Sequence, residues 1–233
     1  FTGGNNLYKA KKAQHHNIHP FPSSIDKAHF KSARDNTKEG EDQAYIPYPR
    51  LGFYGVIDER FDIDMIRQAA DLRPDWQFVL VGPVIKIDAA TLPQNKNIHY
   101  LGGKTYEELP SYLSGWDIAL IPFAINESTR YISPTKTPEY LAGGKPVIST
   151  AITDVVNPYY DLGLVHIVRN AEDLVQVATA ELSKTDKVDW LSKVDAYLST
   201  ISWDATWELM DALMEKEIYT KQKTFTPQTK KYV

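Results

Sequence analysis

Apolar residues along the chain fall into short runs, each closed by glycine, proline or polar residues. Runs at 51–56, 76–83, 97–103, 116–123, 146–149 and 164–168 read as buried strands. Between them apolar positions recur at helical spacing. Ile63, Ile66, Ala69, Ala70 and Leu72 follow Asp62 or Asp64, either of which can cap a helix. A helix over 106–113 follows Thr105, and one over 171–182 follows Asn170, with Leu174, Val177, Ala178 and Glu181 at helical spacing. A further helix is predicted over 187–198. The last, over 203–218, carries Trp203, Trp207, Met210, Leu213 and Met214 on one stripe, expected to pack as core. Strands alternating with helices predict an α/β fold with a doubly wound parallel sheet.

The flanks are different. Residues 7–14 suggest a short basic helix, 17–22 an extended segment and 23–26 a turn. Residues 32–43 are polar and charged and read as linker, 152–162 as irregular, and 221–233 as a basic tail with no core residues.

The chain has 233 residues, enough for one large domain, and 42% are hydrophobic, enough for a sizeable core. A net charge of −4 argues against a general nucleic-acid binder. With no cysteine there are no disulfides and no thiolate metal sites. HExxH, GxSxG and Walker patterns are absent, and the six histidines lack metal-ligand spacing, so no metal site is expected.

The richest chemistry lies at 133–150, S-P-T-K-T-P-E-Y-L-A-G-G-K-P-V-I-S-T. It reads as loop, short helix, glycine stop and buried strand. Thr135 or Thr137 could cap the helix, and Pro138 suits its first turn, where a missing N–H costs nothing. Backbone N–H groups, two hydroxyls and the Lys136 ammonium would gather at the helix start, with the Glu139 carboxylate in the first turn. Such a set can take phosphate oxygens and a ribose diol. It can equally be an ordinary capped helix with a solvated lysine.

The run P-T-K-x-x-E-Y-L-A-x-G-K-P-V-I-S-T resembles the donor-nucleotide signature of retaining glycosyltransferases of GT-B architecture, the group 1 type with two facing Rossmann-like domains. The similarity extends over roughly 51–214, with the elements in the same order. The resemblance implies the donor-binding, C-terminal half of such an enzyme. Residues 1–30 would be the end of an N-terminal Rossmann-like domain, 31–45 a linker, 46–220 the nucleotide-sugar-binding domain and 221–233 a tail. By motif position Glu139 would bind the donor ribose, and Arg60, Thr135, Lys136 and Thr137 the diphosphate. Arg60 and Lys136 would then carry the catalytic charge stabilisation. Gly103, Lys104 and Thr105 would shelve the base, although Thr105 also suits a helix cap. Asn126, Glu127, Thr129 and Tyr131 would face the donor sugar. Two positions depart from the family pattern. Tyr131 stands where a first glutamate is usual, and Val56 where a basic residue follows the glycine. For Arg60 the bland reading is a surface ion pair with Glu59 or Asp62.

The resemblance further implies a nucleotide-diphospho sugar substrate, UDP- or GDP-linked, with no cofactor and no metal. The acceptor would be a glycan, lipid or small molecule, and the setting cytoplasmic, including the inner membrane face. Two other readings stay open: a nucleotide-sugar epimerase of the same architecture, with Glu127 as its one acidic candidate, and a non-catalytic nucleotide-binding or scaffold domain.

Overall fold

A computed structural model of the chain describes residues 1–35 and 38–224. In chain order its elements are α1 (Asn5–Lys11), α2 (Lys27–Lys31), β1 (Arg50–Tyr54), α3 (Ile63–Leu72), β2 (Gln77–Val81), β3 (Ile98–Tyr100), α4 (Leu109–Ser114), β4 (Ile118–Ile121), α5 (Lys136–Ala142), β5 (Val147–Ser149), α6 (Thr153–Val155), β6 (His166–Ile167), α7 (Ala171–Leu182), α8 (Val188–Leu198) and α9 (Trp203–Thr224). The six apolar runs supply the six strands. They form one sheet in the order β3-β2-β1-β4-β5-β6, and every pairing is parallel. Parallel strands need crossovers, which cover both faces of the sheet with helices. Leu51, Phe53, Phe78, Val79, Leu120 and Ile121 are accordingly buried.

The chain builds outward from β1 to β3, then returns to place β4 on the other side of β1. That reversal puts the topological switch point at the carboxyl ends of β1 and β4, where ligands bind in open sheets of this kind. The helices beside it start on clear signals. Asp62 caps α3 by accepting from Met65 N at 2.9 Å, and Asn170 caps α7 by accepting from Asp173 N at 2.8 Å. Thr105 and Glu108 form a reciprocal capping box ahead of α4.

The first 31 residues contribute α1, α2 and a bridge between Thr2 and Pro20. Asp154 holds this segment, its carboxylate accepting from Asn5 N and Asn6 N at 3.0 Å each. The described part of the 31–45 stretch is packed down as well. Gln43 is fully buried, donating to Tyr112 O at 2.8 Å and accepting from Trp116 Nε1 at 3.0 Å. A buried amide needs partners at both ends, and this one has them. The buried Arg50 pairs with Glu39 from the same stretch. Of the expected tail at 221–233, residues 221–224 instead end α9, and 225–233 lie outside the described residues.

The stripe on α9 is not core. Trp203 is 52% and Trp207 60% exposed, Ile218 is exposed, and Met210, Leu213 and Met214 are only half-buried. Helical spacing fixes which residues share a face but not what lies against it. Residues 152–162, expected as irregular, hold α6 and a π-helical turn broken at Asn157.

Candidate functional site

Two glycines stand at the carboxyl edge of the sheet beside the switch point. Gly55 follows β1 and Gly82 follows β2, with φ of +141° and +147°, a region side chains rarely adopt. Gly55 N donates to Val81 O at 2.8 Å and Gly82 N to Gly102 O at 2.7 Å. A Cβ on Gly82 would overlap the Gly55 carbonyl, and one on Gly55 would overlap the Lys136 side chain. So Lys136, the first residue of α5, lies directly across the end of β1. Its ammonium stands 5.6 Å from the Phe53 ring centre and 5.8 Å from that of Phe123. Burial pushes its pKa down. Glu139 and Asp58 oppose that, and nearby Arg60 adds to it.

Glu139 lies one turn further along α5. Tyr54 Oη donates to its Oε2 at 2.8 Å. Burial raises the Glu139 carboxyl above its usual range, although the Tyr54 and Thr135 hydroxyls, Lys136 and His29 pull it back. Both shifts oppose the charged forms. A lowered lysine pKa means stability present above the unfolded value is lost as pH falls through the folded one. A raised carboxyl pKa means stability present at low pH is lost as pH rises. Burial works against both charged forms, and Lys136 and Glu139 each offset part of that cost for the other.

Arg60 reaches the same place from the loop after β1. That loop bridges to the loop after β4 through Phe61 and Phe123, and Ala124 N donates to Arg60 O at 2.8 Å. The guanidinium is paired with Asp58, neither Glu59 nor Asp62: Nε lies 2.9 Å from Oδ1 and Nη2 2.6 Å from Oδ2. Asp58 is 4% exposed at its side chain and Arg60 36%, so a buried carboxylate holds a half-open cation at the rim.

The other expected site residues divide. Thr135 is exposed at the start of α5 and does not cap it. Thr137 is fully buried, its hydroxyl without a partner, so its side chain is not part of the open surface. Gly103 opens toward Pro83 beside Gly82. Lys104 is paired with Asp42 and lies 5.1 Å from the Tyr112 ring centre, while Thr105 is spent on its capping box. In the loop after β4, Asn126 accepts from Ser128 N and Thr129 N, and Thr129 is buried with its hydroxyl donating to Ala124 O. Both therefore shape the loop. Glu127 is 86% exposed at its side chain and faces Arg130 at 3.3 Å, and Tyr131 is exposed with Arg130 over its ring.

Tyr54, Asp58 and a stacked His29–Tyr106 pair (ring centres 4.3 Å apart) also belong to the neighbourhood. Sequence reasoning missed Tyr54 and Asp58, and His29 as a neighbour of Glu139. Tyr54 sits inside an apolar run and reads as core, and nothing local to Asp58 or His29 marks them. Among the described residues, no group of three or more His, Cys, Asp or Glu could hold a metal ion.

The family model "Glycosyl transferases group 1" matches residues 49–198. The chain belongs to this family. TuaH of Bacillus subtilis (strain 168), a protein assigned as a teichuronic acid biosynthesis glycosyltransferase, is 35% identical over 103 residues, which is 43% of this chain and 26% of that protein. Sucrose-phosphate synthase from Thermosynechococcus elongatus has the same fold, with a TM-score of 0.71 at 16% identity over 94% of this chain and 58% of its own. Anabaena HepE, solved in complex with UDP, aligns with a TM-score of 0.66 at 11% identity over 92% of this chain and 63% of its own. The chain thus spans about a quarter of TuaH and about three-fifths of each of these structures. The GT-B fold expectation agrees with these likenesses. Among the described residues no helix is long and apolar enough to cross a membrane.

Proposed function

We propose that this chain binds a nucleotide-diphospho sugar, UDP- or GDP-linked, and supplies the donor half of a glycosyl transfer. One observation carries the reading. Lys136 lies over Gly55 at the end of β1, with Glu139 and Arg60 within electrostatic reach of its ammonium. Two cations and the first N–H groups of α5 suit a diphosphate, and a carboxylate one turn along suits a ribose diol. As the glycosidic bond breaks, the leaving diphosphate gains charge, and Arg60 and Lys136 stabilise that charge from fixed positions. The residues that do this are cations of the chain itself, so the reading requires no metal. HepE, solved with UDP, supports it by shared fold. The acceptor, a glycan, lipid or small molecule, is taken to lie mainly against a facing N-terminal Rossmann-like domain. The reading takes the setting as cytoplasmic.

The test is calorimetric titration of the chain with UDP, GDP, uridine and guanosine. One diphosphate should bind at least about tenfold tighter than its nucleoside, as expected for charge-assisted contacts. Equal binding of nucleoside and diphosphate would remove Arg60 and Lys136 from the site and the reading with them.

A further inference from the structure

We infer that Tyr54 is a positioning residue of this site, its hydroxyl holding the Glu139 carboxylate in the orientation that meets the ribose. The inference rests on the assignment of Glu139 proposed above and adds the group that gives that contact its direction. Tyr54 ends β1 and is 4% exposed. Its backbone N donates to Tyr140 Oη at 2.9 Å. Its ring meets Tyr140 edge-on at 4.7 Å and Trp116 at 5.7 Å, and stacks at 6.3 Å on Phe30, which α2 contributes. The ring is held on three sides and cannot swing its hydroxyl elsewhere. That hydroxyl donates to Glu139 Oε2 at 2.8 Å.

A phenylalanine would fill the same volume in a strand whose residues are all buried. The hydroxyl adds a polar group to the interior, and such a group costs stability unless it is bonded. Here its bond goes to Glu139, the carboxylate that the donor reading uses. Burial and the facing Glu139 push the Tyr54 phenol well above its ordinary value, so it stays a donor at any working pH. An ionised carboxylate has about four acceptor positions. Tyr54 occupies one and fixes the plane of the group, leaving the others in a set direction for a diol. The other groups facing Glu139 are Lys136 and the Thr135 hydroxyl on α5, Tyr140 on the same helix, His29 on α2 and Tyr106 after β3.

The experiment compares UDP with 2′-deoxy-UDP, or the guanine pair if GDP is the tighter ligand, on the unsubstituted chain, Tyr54→Phe, Glu139→Gln and the double variant. Carbon-13 NMR titration of the Glu139 carboxyl runs alongside. The unsubstituted chain should prefer the ribonucleotide. Tyr54→Phe should keep the fold, raise the Glu139 titration midpoint and reduce that preference about tenfold, the scale of a hydrogen bond to a charged group. On the Glu139→Gln background the same change should have little further effect, because Tyr54 acts through Glu139. If Tyr54→Phe leaves both the preference and the midpoint unchanged, the inference falls while the donor reading stands. If the unsubstituted chain shows no ribose preference, the Glu139 assignment falls and takes the inference with it.

Discussion

Replacing Glu139 by Gln should move stability and ligand affinity in opposite directions. Gln keeps the side-chain shape and an acceptor oxygen for the Tyr54 hydroxyl, which sits 2.8 Å from the carboxylate. What it removes is the charge. Burial raises the folded-state pKa of Glu139 above 4.5 even with Lys136 beside it, so ionising this side chain costs the fold more than it costs the unfolded chain. The associated stability is present at low pH and lost as pH rises through the folded value. As pH rises the natural chain loses it and the Gln variant does not. The gain should be about 1 kcal/mol, typical where a functional group is relaxed. For a chain of this size that is a rise in Tm of about 2–4 °C. It should vanish below about pH 4, where both side chains are neutral. Affinity for the nucleoside diphosphate should fall by about 1.5–3 kcal/mol, or roughly 10- to 150-fold, as a bond to a charged acceptor is lost. Circular-dichroism melts from about pH 3 to pH 8 and calorimetry with UDP or GDP read the two effects. A lower Tm at pH 7 would make Glu139 a stabilising partner of Lys136, and an unchanged affinity would free it from the ribose.

Arg60→Ala or Lys136→Ala should weaken the diphosphate while sparing the nucleoside. The double variant should depart from the sum of the singles, since both act on one ligand, and titrations at low and high salt should show less salt dependence in the double variant than in the natural chain. On the far side of the sheet, burial alone would raise the Glu181 carboxyl, but hydrogen bonds from His166 and Lys184 outweigh it and hold it at about 2. Its contribution to stability is therefore present above pH 4.5 and lost as pH falls toward 2. Glu181→Gln should flatten Tm against pH across that window, and an unaltered slope there would mean the three groups do not act together.

Much of the architecture was legible because burial on two faces leaves a local mark. A strand such as 118–121, apolar throughout, announces its place in a parallel sheet. Asp62 and Asn170 announce helix starts because capping is a contact within four residues. Lys136 and Glu139 could be picked out because they share one helical turn and one motif. The neighbours that make them a site could not. Tyr54 lies 85 residues from Glu139, and its pattern is that of a core strand residue. Arg60 pairs with Asp58, two residues before it, rather than with Glu59 or Asp62, a choice among near neighbours that spacing alone does not make. Lys104 and Thr105 read as open chemistry but are engaged, by Asp42 across 62 residues and by a capping box. The stripe on α9 was visible at helical spacing, yet only the packed chain decides whether a stripe is covered, and here Trp203 and Trp207 are not. The sequence by itself determined the strands, the caps at Asp62 and Asn170 and the grouping of Lys136 with Glu139 on one helical turn, since these depend on composition and spacing within a few residues. Tertiary structure alone decided which hydroxyl meets the Glu139 carboxylate and which apolar face stays open, since those are set by contacts between segments far apart along the chain.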